Sequence, residues 1–329
     1  MIYNRNFSEI DRVKIYVDNI QTYIAESYML LFNHNKYNEF NLHKYINQEY
    51  RKEYFGCLIE AYLHNYNNIR ELLLNLKPYV EVEDVLSVNT NGGNAVNTTL
   101  KDYLYLHRDW CYYEEGEKQV EIIDNAIKNS LPLKMESALF LGCGVGRLAV
   151  ELSDSFKKVY ATDKSYSMIW HINKLISENN FEFYNPQEKN IYSLENVAKK
   201  HTAFIKEDIK KVIREKVDFF VSDILNLPIN EDSINAVFSI YFTDVIALKL
   251  WFDKINAIIK KEGYFVHFGP LDYFFSDESE MLTAKEFRLF FEKNGYTTIT
   301  DKIIETSHLN DANSFTYKVY RNWLFVAKK

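Results

Sequence analysis

Three glycines at alternate positions, Gly142, Gly144 and Gly146, lie in the stretch LFLGCGVGRLAVEL at residues 139–152. The chain has only 10 glycines in 329 residues, so this concentration needs a local reason. An apolar run precedes the glycines and a helical pattern follows them, which indicates a strand that turns sharply into a helix. At such a turn, glycines leave the N–H groups at the start of the helix open to a ligand.

Two acidic residues follow the next two predicted strands. Asp163 ends the run VYATD, and an acid at this distance from the glycines can accept hydrogen bonds from both hydroxyls of a ribose. Asp223 ends the run FFVSD and can meet an adenine amino group through its side chain or a neighbouring N–H. The GxGxG spacing differs from the GxGxxG of nicotinamide enzymes. Together with both acids, it predicts a site for S-adenosylmethionine. The alternative is that the glycines serve packing and the acids cap helices.

Arg147 occupies the first position of the helix that follows the glycines. A dinucleotide would place its pyrophosphate at this helix N-terminus. A cation there can instead pair with the carboxylate of a methionine moiety. The position of Arg147 therefore favours S-adenosylmethionine over a dinucleotide.

The order of predicted elements places these residues in an α/β fold. After Pro132, short apolar strands alternate with helices, which is typical of a parallel sheet covered on both faces. The strands are predicted at 137–141, 159–162, 217–221, 236–240, 264–268, 297–304 and 323–327. The last two have no helix between them and are expected to form an antiparallel hairpin at one edge. The pattern predicts the Rossmann-like fold of class I methyltransferases, a mostly parallel sheet with an antiparallel terminal strand.

Helical spacing dominates the first part of the chain, over residues 10–76, and ends at Pro78. An Asn- and Gly-rich loop follows at 87–97. Further helices are predicted at 99–107, 117–129, 147–153, 167–179, 248–260 and 284–294. We expect a helical N-terminal extension over 1–98 and a methyltransferase domain over 99–329. An insertion at 181–217 is predicted to be helical around 196–214.

Composition excludes several other classes of protein. The net charge of −7 argues against a partner made of nucleic acid, which would require neutralisation of phosphates by lysines and arginines. No segment approaches the roughly 20 apolar residues that cross a bilayer, and residues 1–14 lack the apolar core of a signal peptide. The 3 cysteines have no CxxC spacing, so neither a metal site nor a disulfide framework is expected. These features favour the cytoplasm.

From residue 99 onward the chain resembles the carnosine N-methyltransferase family. TTLKDYLYLHRDW at 98–110 is similar to a helix that precedes the family's catalytic domain and ends in Arg-Asp-Trp. GCGVGRLAVE is similar to GAGLGRLAWE, YFTD at 241–244 to FFID, and HFGPLDYFF at 267–275 to NLGPLLYHF. The C-terminal YRNWLFVAKK is similar to YYECVLFVVRK. The resemblance implies N-methylation of a small molecule or peptide, at a histidine-like ring, with S-adenosylmethionine as cofactor.

The resemblance also assigns roles residue by residue. It implies contact with the cofactor for Arg108, Gly142, Arg147, Asp163, Asp223 and Ile224. Asp244 is implied to hold the imidazole of the acceptor, and Tyr320 matches the last tyrosine of a C-terminal family motif. We therefore expect Asp244 and Tyr320 to be catalytic. Further candidates for acceptor contact are Tyr273, Phe274, His267 and Tyr317, where Phe274 stands in place of a histidine of the family.

Two alternatives remain open on the sequence. The changed acceptor residues are compatible with O-methylation of a carboxylate on a peptide or small molecule. They are also compatible with a catalytically silent cofactor-binding module that docks on a partner through residues 1–98.

Overall fold

The computed structural model describes residues 9–79, 101–311 and 314–329. Its first part is a pair of long helices, α1 (Glu9–Asn38) and α2 (Gln48–Leu76), which confirms the predicted helical region. The Asn47 side chain caps α2 by accepting a hydrogen bond from the Tyr50 N–H at 3.1 Å. The predicted loop at 87–97 lies outside the described residues. Among the residues described, no helix is both long enough and apolar enough to cross a membrane.

Two shorter helices connect this pair to the sheet. They are α3 (Lys101–Trp110) and α4 (Glu114–Lys128), each within a few residues of its predicted position. Val120, Ile123 and Ile127 recur at helical spacing on α4 and are buried. This apolar stripe lays α4 against one face of the sheet, while α3 crosses the end of the sheet.

Nine strands follow in the described part of the chain, and seven of them form the main sheet. The strands are β1 (Met135–Leu141), β2 (Phe156–Asp163), β3 (Phe181–Pro186), β4 (Ala198–Ala203), β5 (Val217–Val221), β6 (Ile234–Ile240), β7 (Ile259–Gly269), β8 (Thr297–His308) and β9 (Lys318–Lys328). The main sheet has the order β5-β2-β1-β6-β7-β9-β8, and β9 runs in the opposite direction to the other six strands. The predicted fold class, including the antiparallel hairpin at one edge, is confirmed.

Five helices lie between the strands: α5 (Arg147–Glu151), α6 (Tyr166–Ser177), α7 (Glu207–Lys216), α8 (Phe252–Ile258) and α9 (Ala284–Lys293). The sheet buries apolar side chains on both faces. One face packs against α4, α6 and α7, and the other packs against α8 and α9. Strands covered on both sides are mostly apolar, which is why apolar residues dominate β1 and β6.

The inserted segment at 181–217 differs from its prediction. The α-helix there is limited to α7, apart from a 3-10 turn at Leu194–Asn196, and β4 forms an antiparallel pair with β3 where a helix was predicted to begin. In β4, His201 and Ala203 are buried and Thr202 between them is exposed, which is the alternation of a half-buried strand. Asn65 of α2 pairs with the free edge of β3, since its side chain bonds the Tyr184 N–H and C=O at 3.0 and 2.9 Å. The contact between α2 and the β3–β4 hairpin could not be predicted from the sequence of residues 181–217, because Asn65 lies far away along the chain.

The predicted helix at 248–260 is also shorter in the structure. Leu248–Leu250 forms a separate 3-10 turn, α8 covers Phe252–Ile258, and β7 already begins at Ile259. Ile255 and Ile258 are buried on α8 as a helix requires, whereas the adjacent Ile259 is already the first residue of the strand.

Candidate active site

The three glycines form the turn between β1 and α5, and all three have positive φ angles of 57°, 56° and 80° in chain order. A Cβ atom at Gly142 would lie 2.4 Å from the Phe242 ring, and one at Gly146 would lie 2.4 Å from the Phe219 ring. A Cβ at Gly144 would meet no atom within 4 Å. Gly142 and Gly146 are therefore required for packing, whereas Gly144 faces open space on the ligand side.

A cavity of about 280 Å³ opens above this turn. It lies where β1, β2 and β6 end, and α3 closes one side of it. The carboxyl edge of a doubly wound sheet is where such folds bind ligands. Among its lining residues are Tyr105, Arg108, Asp109, Gly142, Gly144, Asp163 and Tyr241. The structure thus brings the glycine turn, the first predicted acid and an arginine from a separate helix to one cavity.

Asp163 holds the glycine turn together as well as facing the cavity. Its Oδ2 accepts a hydrogen bond from the Gly144 N–H at 2.9 Å, and its Oδ1 accepts one from the Ser165 N–H at 2.8 Å. Burial raises the pKa of the Asp163 carboxyl, and the backbone N–H groups around it oppose that shift. A carboxylate has about four lone-pair sites, so both oxygens can also accept a ribose hydroxyl.

Asp223 and Ile224 line a smaller cleft of about 30 Å³ beside the main cavity. The two spaces share Gly142, Lys164 and Phe242 among their lining residues. Asp223 caps a short turn by accepting from the Leu225 N–H at 2.9 Å, and its other oxygen lies 3.2 Å from the Lys164 ammonium. Contact of Asp223 and Ile224 with the adenine of the cofactor stays a prediction, for which this cleft beside the main cavity offers a place.

Arg108 reaches the cavity from α3 and is buried. Its Nε and Nη2 donate to the two carboxylate oxygens of Asp109 at 2.5 and 2.9 Å, and Nη1 bonds no residue that the structure describes. Burial lowers the pKa of Arg108, but the charge and hydrogen bonds of Asp109 outweigh this effect and raise the pKa above its usual range, so the guanidinium stays charged. This paired cation can present its remaining N–H groups to a ligand carboxylate.

The structure does not bring Arg147 to the cavity. Its guanidinium donates to Glu151 at 2.6 Å, to the Asp109 carbonyl at 2.5 Å and to Glu117 at 3.1 Å. These contacts fasten α5 to α3 and α4, with Arg147 itself buried. Arg147 is not among the residues that line the cavity, so the predicted contact between Arg147 and a cofactor carboxylate has no support in this arrangement.

The three residues of the Arg-Asp-Trp motif at the end of α3 have different roles, and the sequence analysis did not predict those of Asp109 and Trp110. Asp109 orients Arg108, while the Trp110 indole N–H donates to the Val145 carbonyl of the glycine turn at 2.8 Å. Trp110 is completely buried. The motif thus fixes α3 over the turn. In the sequence, the only indication of these two roles was that Asp109 and Trp110 directly follow Arg108.

Asp244 lies in the turn after β6, next to the cavity rather than among its lining residues. Burial raises the pKa of its carboxyl to about 6, and the neighbouring Asp272 charge adds to the shift while backbone N–H groups oppose it. Its carbonyl accepts from the Phe274 N–H at 2.9 Å. Burial and then the charges of Asp272 and Asp244 raise the pKa of Tyr320, which places Tyr320 near both acids.

The other acceptor candidates divide into two groups. Tyr273 bonds the Leu282 carbonyl at 2.6 Å, and its pKa is raised to about 12 by burial and by Asp244, so it lies beside the acid. Phe274 and Tyr317 are 73% and 64% exposed, and neither lines the cavity. The structure does not support the predicted contact between His267 and an acceptor. The His267 ring is buried under α9, 5.9 Å from the Phe287 ring, and its Nδ1 is bonded to the Thr243 hydroxyl at 2.9 Å. It lies on the face of the sheet opposite to the cavity and cannot contact an acceptor there.

No group of three or more metal-ligating side chains occurs in the parts of the chain that the structure describes. The described side chains at the cavity are instead suited to an organic ligand with a ribose and a carboxylate.

Comparison with known proteins gives a family. The model of the family described as carnosine N-methyltransferase matches residues 89–329. Among solved structures, the PH0226 protein from Pyrococcus horikoshii OT3 is similar with 16% identity, covering 68% of this chain and 94% of that chain at a TM-score of 0.42. A magnesium protoporphyrin IX methyltransferase from Synechocystis PCC 6803 with bound SAH has 13% identity, covering 72% and 90% at a TM-score of 0.41. No curated protein matches the chain.

Proposed function

Because the chain belongs to the carnosine N-methyltransferase family, we propose that it methylates a ring nitrogen of a histidine-like imidazole in a small molecule or peptide. Membership of this family establishes that the chain is a methyltransferase and that S-adenosylmethionine is its cofactor.

The residues at the cavity fit this cofactor. Gly144 leaves open space where a side chain would intrude, Asp163 offers carboxylate lone pairs for a ribose, and Arg108 offers N–H groups for a carboxylate. Asp223 and Ile224 would hold the adenine in the adjoining cleft. When bound, the cofactor supplies an activated methyl group on a sulfonium.

The observation that carries the choice of acceptor is the pair of acids beside the cavity. Asp244 is buried, and the charge of Asp272 contributes to its raised pKa. Both acids in turn raise the pKa of Tyr320. A site that already holds two carboxylates repels a third one and attracts a cation or an N–H donor. This supports an imidazole or amine nitrogen as the acceptor and counts against O-methylation of a carboxylate.

We assign Asp244 an orienting role in this reaction. Its ionised carboxyl can accept the N–H of an imidazole, which turns the lone pair of the other ring nitrogen towards the cavity. A fixed carboxylate also stabilises the positive charge that the ring gains in the transition state. Holding the two reactants aligned supplies several kcal/mol through avoided entropy cost.

The exposed ring of Phe274, which is bonded to Asp244 through its backbone, favours an acceptor larger than a free amino acid. The Phe274 N–H bonds the Asp244 carbonyl, and its ring is 73% exposed. A peptide that presents a histidine to Asp244 would cover this ring.

Since Cys57, Cys111 and Cys143 are all free thiols, we place this activity in the cytoplasm.

The test is methyl transfer from isotopically labelled S-adenosylmethionine, with products read by mass spectrometry. Carnosine, histidine, a histidine-containing peptide and a glutamate-containing peptide serve as acceptors, and Asp244→Asn serves as the matched variant. We expect label on an imidazole nitrogen with wild-type protein and a large loss of turnover with the variant. Label on a carboxylate, or none on any acceptor in protein that binds the cofactor, would refute the proposal.

A further inference from the structure

His308 lies at the end of β8, directly opposite Lys318 on β9. In antiparallel pairing, residues two apart share a face, so His308 lies on the same face of the hairpin as Tyr320. The His308 ring centroid is 4.6 Å from that of Tyr320 and 5.3 Å from that of Tyr241. An imidazole and two phenols therefore form one cluster, which we call the hairpin cluster.

The hairpin cluster adjoins the cavity. Tyr241 is one of the cavity-lining residues, and Arg108, another of them, contributes to the pKa shift of His308. Tyr241 has a φ of 54°, which a non-glycine residue adopts only at a cost. A Cβ at Gly269 would lie 3.3 Å from the Tyr241 backbone nitrogen, so β7 leaves space for this conformation. Strain of this kind, next to a ligand cavity, is commonly retained for function.

His308 is poised as a neutral hydrogen-bonding group. Burial, followed by the charges of Arg108 and Lys318, lowers its pKa to about 4, so the ring is uncharged at pH 7. A neutral imidazole has one nitrogen that accepts and one that donates. Its Nδ1 is buried, and no described residue bonds to it. Buried polar atoms nearly always have a partner, and an exception in a native fold calls for an explanation.

We propose that His308 is a further acceptor-binding residue, which hydrogen-bonds the acceptor beside Tyr320 and so helps to select a nitrogenous ring or amine. This inference rests on the proposed function. The His308 ring packs against the Tyr320 ring, and Asp244 is near enough to Tyr320 for its charge to raise the pKa of that phenol. An acceptor bound beside Tyr320 can then bond both Asp244 and His308, which would fix its rotation about the direction of methyl transfer. A ring held by one hydrogen bond could still rotate, and a second contact prevents this.

A purely structural role of His308 predicts a different effect of substitution. If His308 only stacks between Tyr241 and Tyr320, any flat ring should serve, and its nitrogen atoms should be irrelevant. If it contacts the cofactor through its position near Arg108, cofactor affinity should fall when it is replaced. Two variants separate these roles: His308→Phe keeps a ring and removes both nitrogens, whereas His308→Gln removes the ring and keeps a donor and an acceptor.

The experiment measures kcat and KM for carnosine, the Kd for S-adenosylhomocysteine and the melting temperature of the full chain. His43→Asn, at an exposed histidine of the N-terminal region, is the control. We expect His308→Phe to raise the KM for carnosine about 10- to 100-fold, as for loss of a hydrogen bond to a charged or polarised group, with the cofactor Kd unchanged. His308→Gln should recover part of this loss.

Wild-type kinetics in His308→Phe would overturn the inference and leave the proposed function intact. A fall in cofactor affinity that accounts for the whole effect would overturn it as well. Absence of transfer to carnosine and to the histidine-containing peptide by the wild-type chain would instead refute the proposed function, and with it this inference.

Discussion

Gly144 separates the requirements of the fold from those of the ligand. It has a φ of 56°, and a Cβ added there would meet nothing within 4 Å. Gly146, two residues later, has a φ of 80°, and its Cβ would lie 2.4 Å from a Phe219 ring atom. The substitutions Gly144→Ala and Gly146→Ala therefore place the same methyl group in two different surroundings within one turn.

The expected magnitudes follow from these surroundings. A left-handed conformation costs a residue with a Cβ about 1–2 kcal/mol, which both variants lose from the free energy of unfolding. Gly146→Ala also forces the Phe219 ring to move, and overpacking of this kind adds about 1–3 kcal/mol. In Gly144→Ala, the methyl group projects into space that we assign to the cofactor. A comparable clash with a bound ligand would weaken its binding roughly 5- to 150-fold.

The assay pairs calorimetric titration of S-adenosylhomocysteine with thermal unfolding of the free protein. We expect Gly144→Ala to bind the ligand at least 5-fold more weakly while its melting temperature falls by a few degrees. Gly146→Ala should show the larger fall in melting temperature. Unchanged affinity in a folded Gly144→Ala protein would refute the assignment of this turn to the cofactor.

Three further outcomes are expected. Asp163→Ala should weaken S-adenosylhomocysteine binding about 10- to 100-fold, because a charged acceptor for the ribose is lost; an unchanged Kd by titration would remove its ribose role. Arg147→Met should lower the free energy of unfolding by about 1–3 kcal/mol, because it leaves the Asp109 carbonyl and Glu117 without their donor; denaturant titration checks this. If its stability stayed the same while cofactor affinity collapsed, Arg147 would be a cofactor ligand after all. Since burial raises the pKa of Asp244 to about 6, its carboxyl is neutral below that pH and ionised above it. The kcat/KM for carnosine should therefore rise with pH through about 6, and a pH profile of Asp244→Asn that kept this limb would assign it to another group, such as the acceptor.

Much of the architecture was readable from the sequence because its signals are local. The turn between β1 and α5 needs positive φ angles at three positions, and glycine is the residue that adopts them without strain. The apolar runs of buried parallel strands and the missing helix before β9 gave the mostly parallel sheet and its terminal hairpin. Where tertiary partners override local pattern, the prediction was wrong, as at 196–203, where β4 pairs with β3 and Asn65 covers the β3 edge.

The candidate site shows the same contrast between features that local sequence predicts and features that depend on tertiary contacts. Asp163 and Gly144 follow strands that end at one edge of the sheet, so chain order alone predicted that they meet. The sequence could not tell that Arg108 rather than Arg147 faces the cavity, because that depends on which arginine has Asp109, Glu117 and Glu151 within reach. Sequence alone thus determined the positions of the main-sheet strands, the glycine turn and the acids at the strand ends, since each is encoded within a few residues. Only the tertiary structure decided which cations and rings face the ligand, because that depends on side chains brought together from distant parts of the chain.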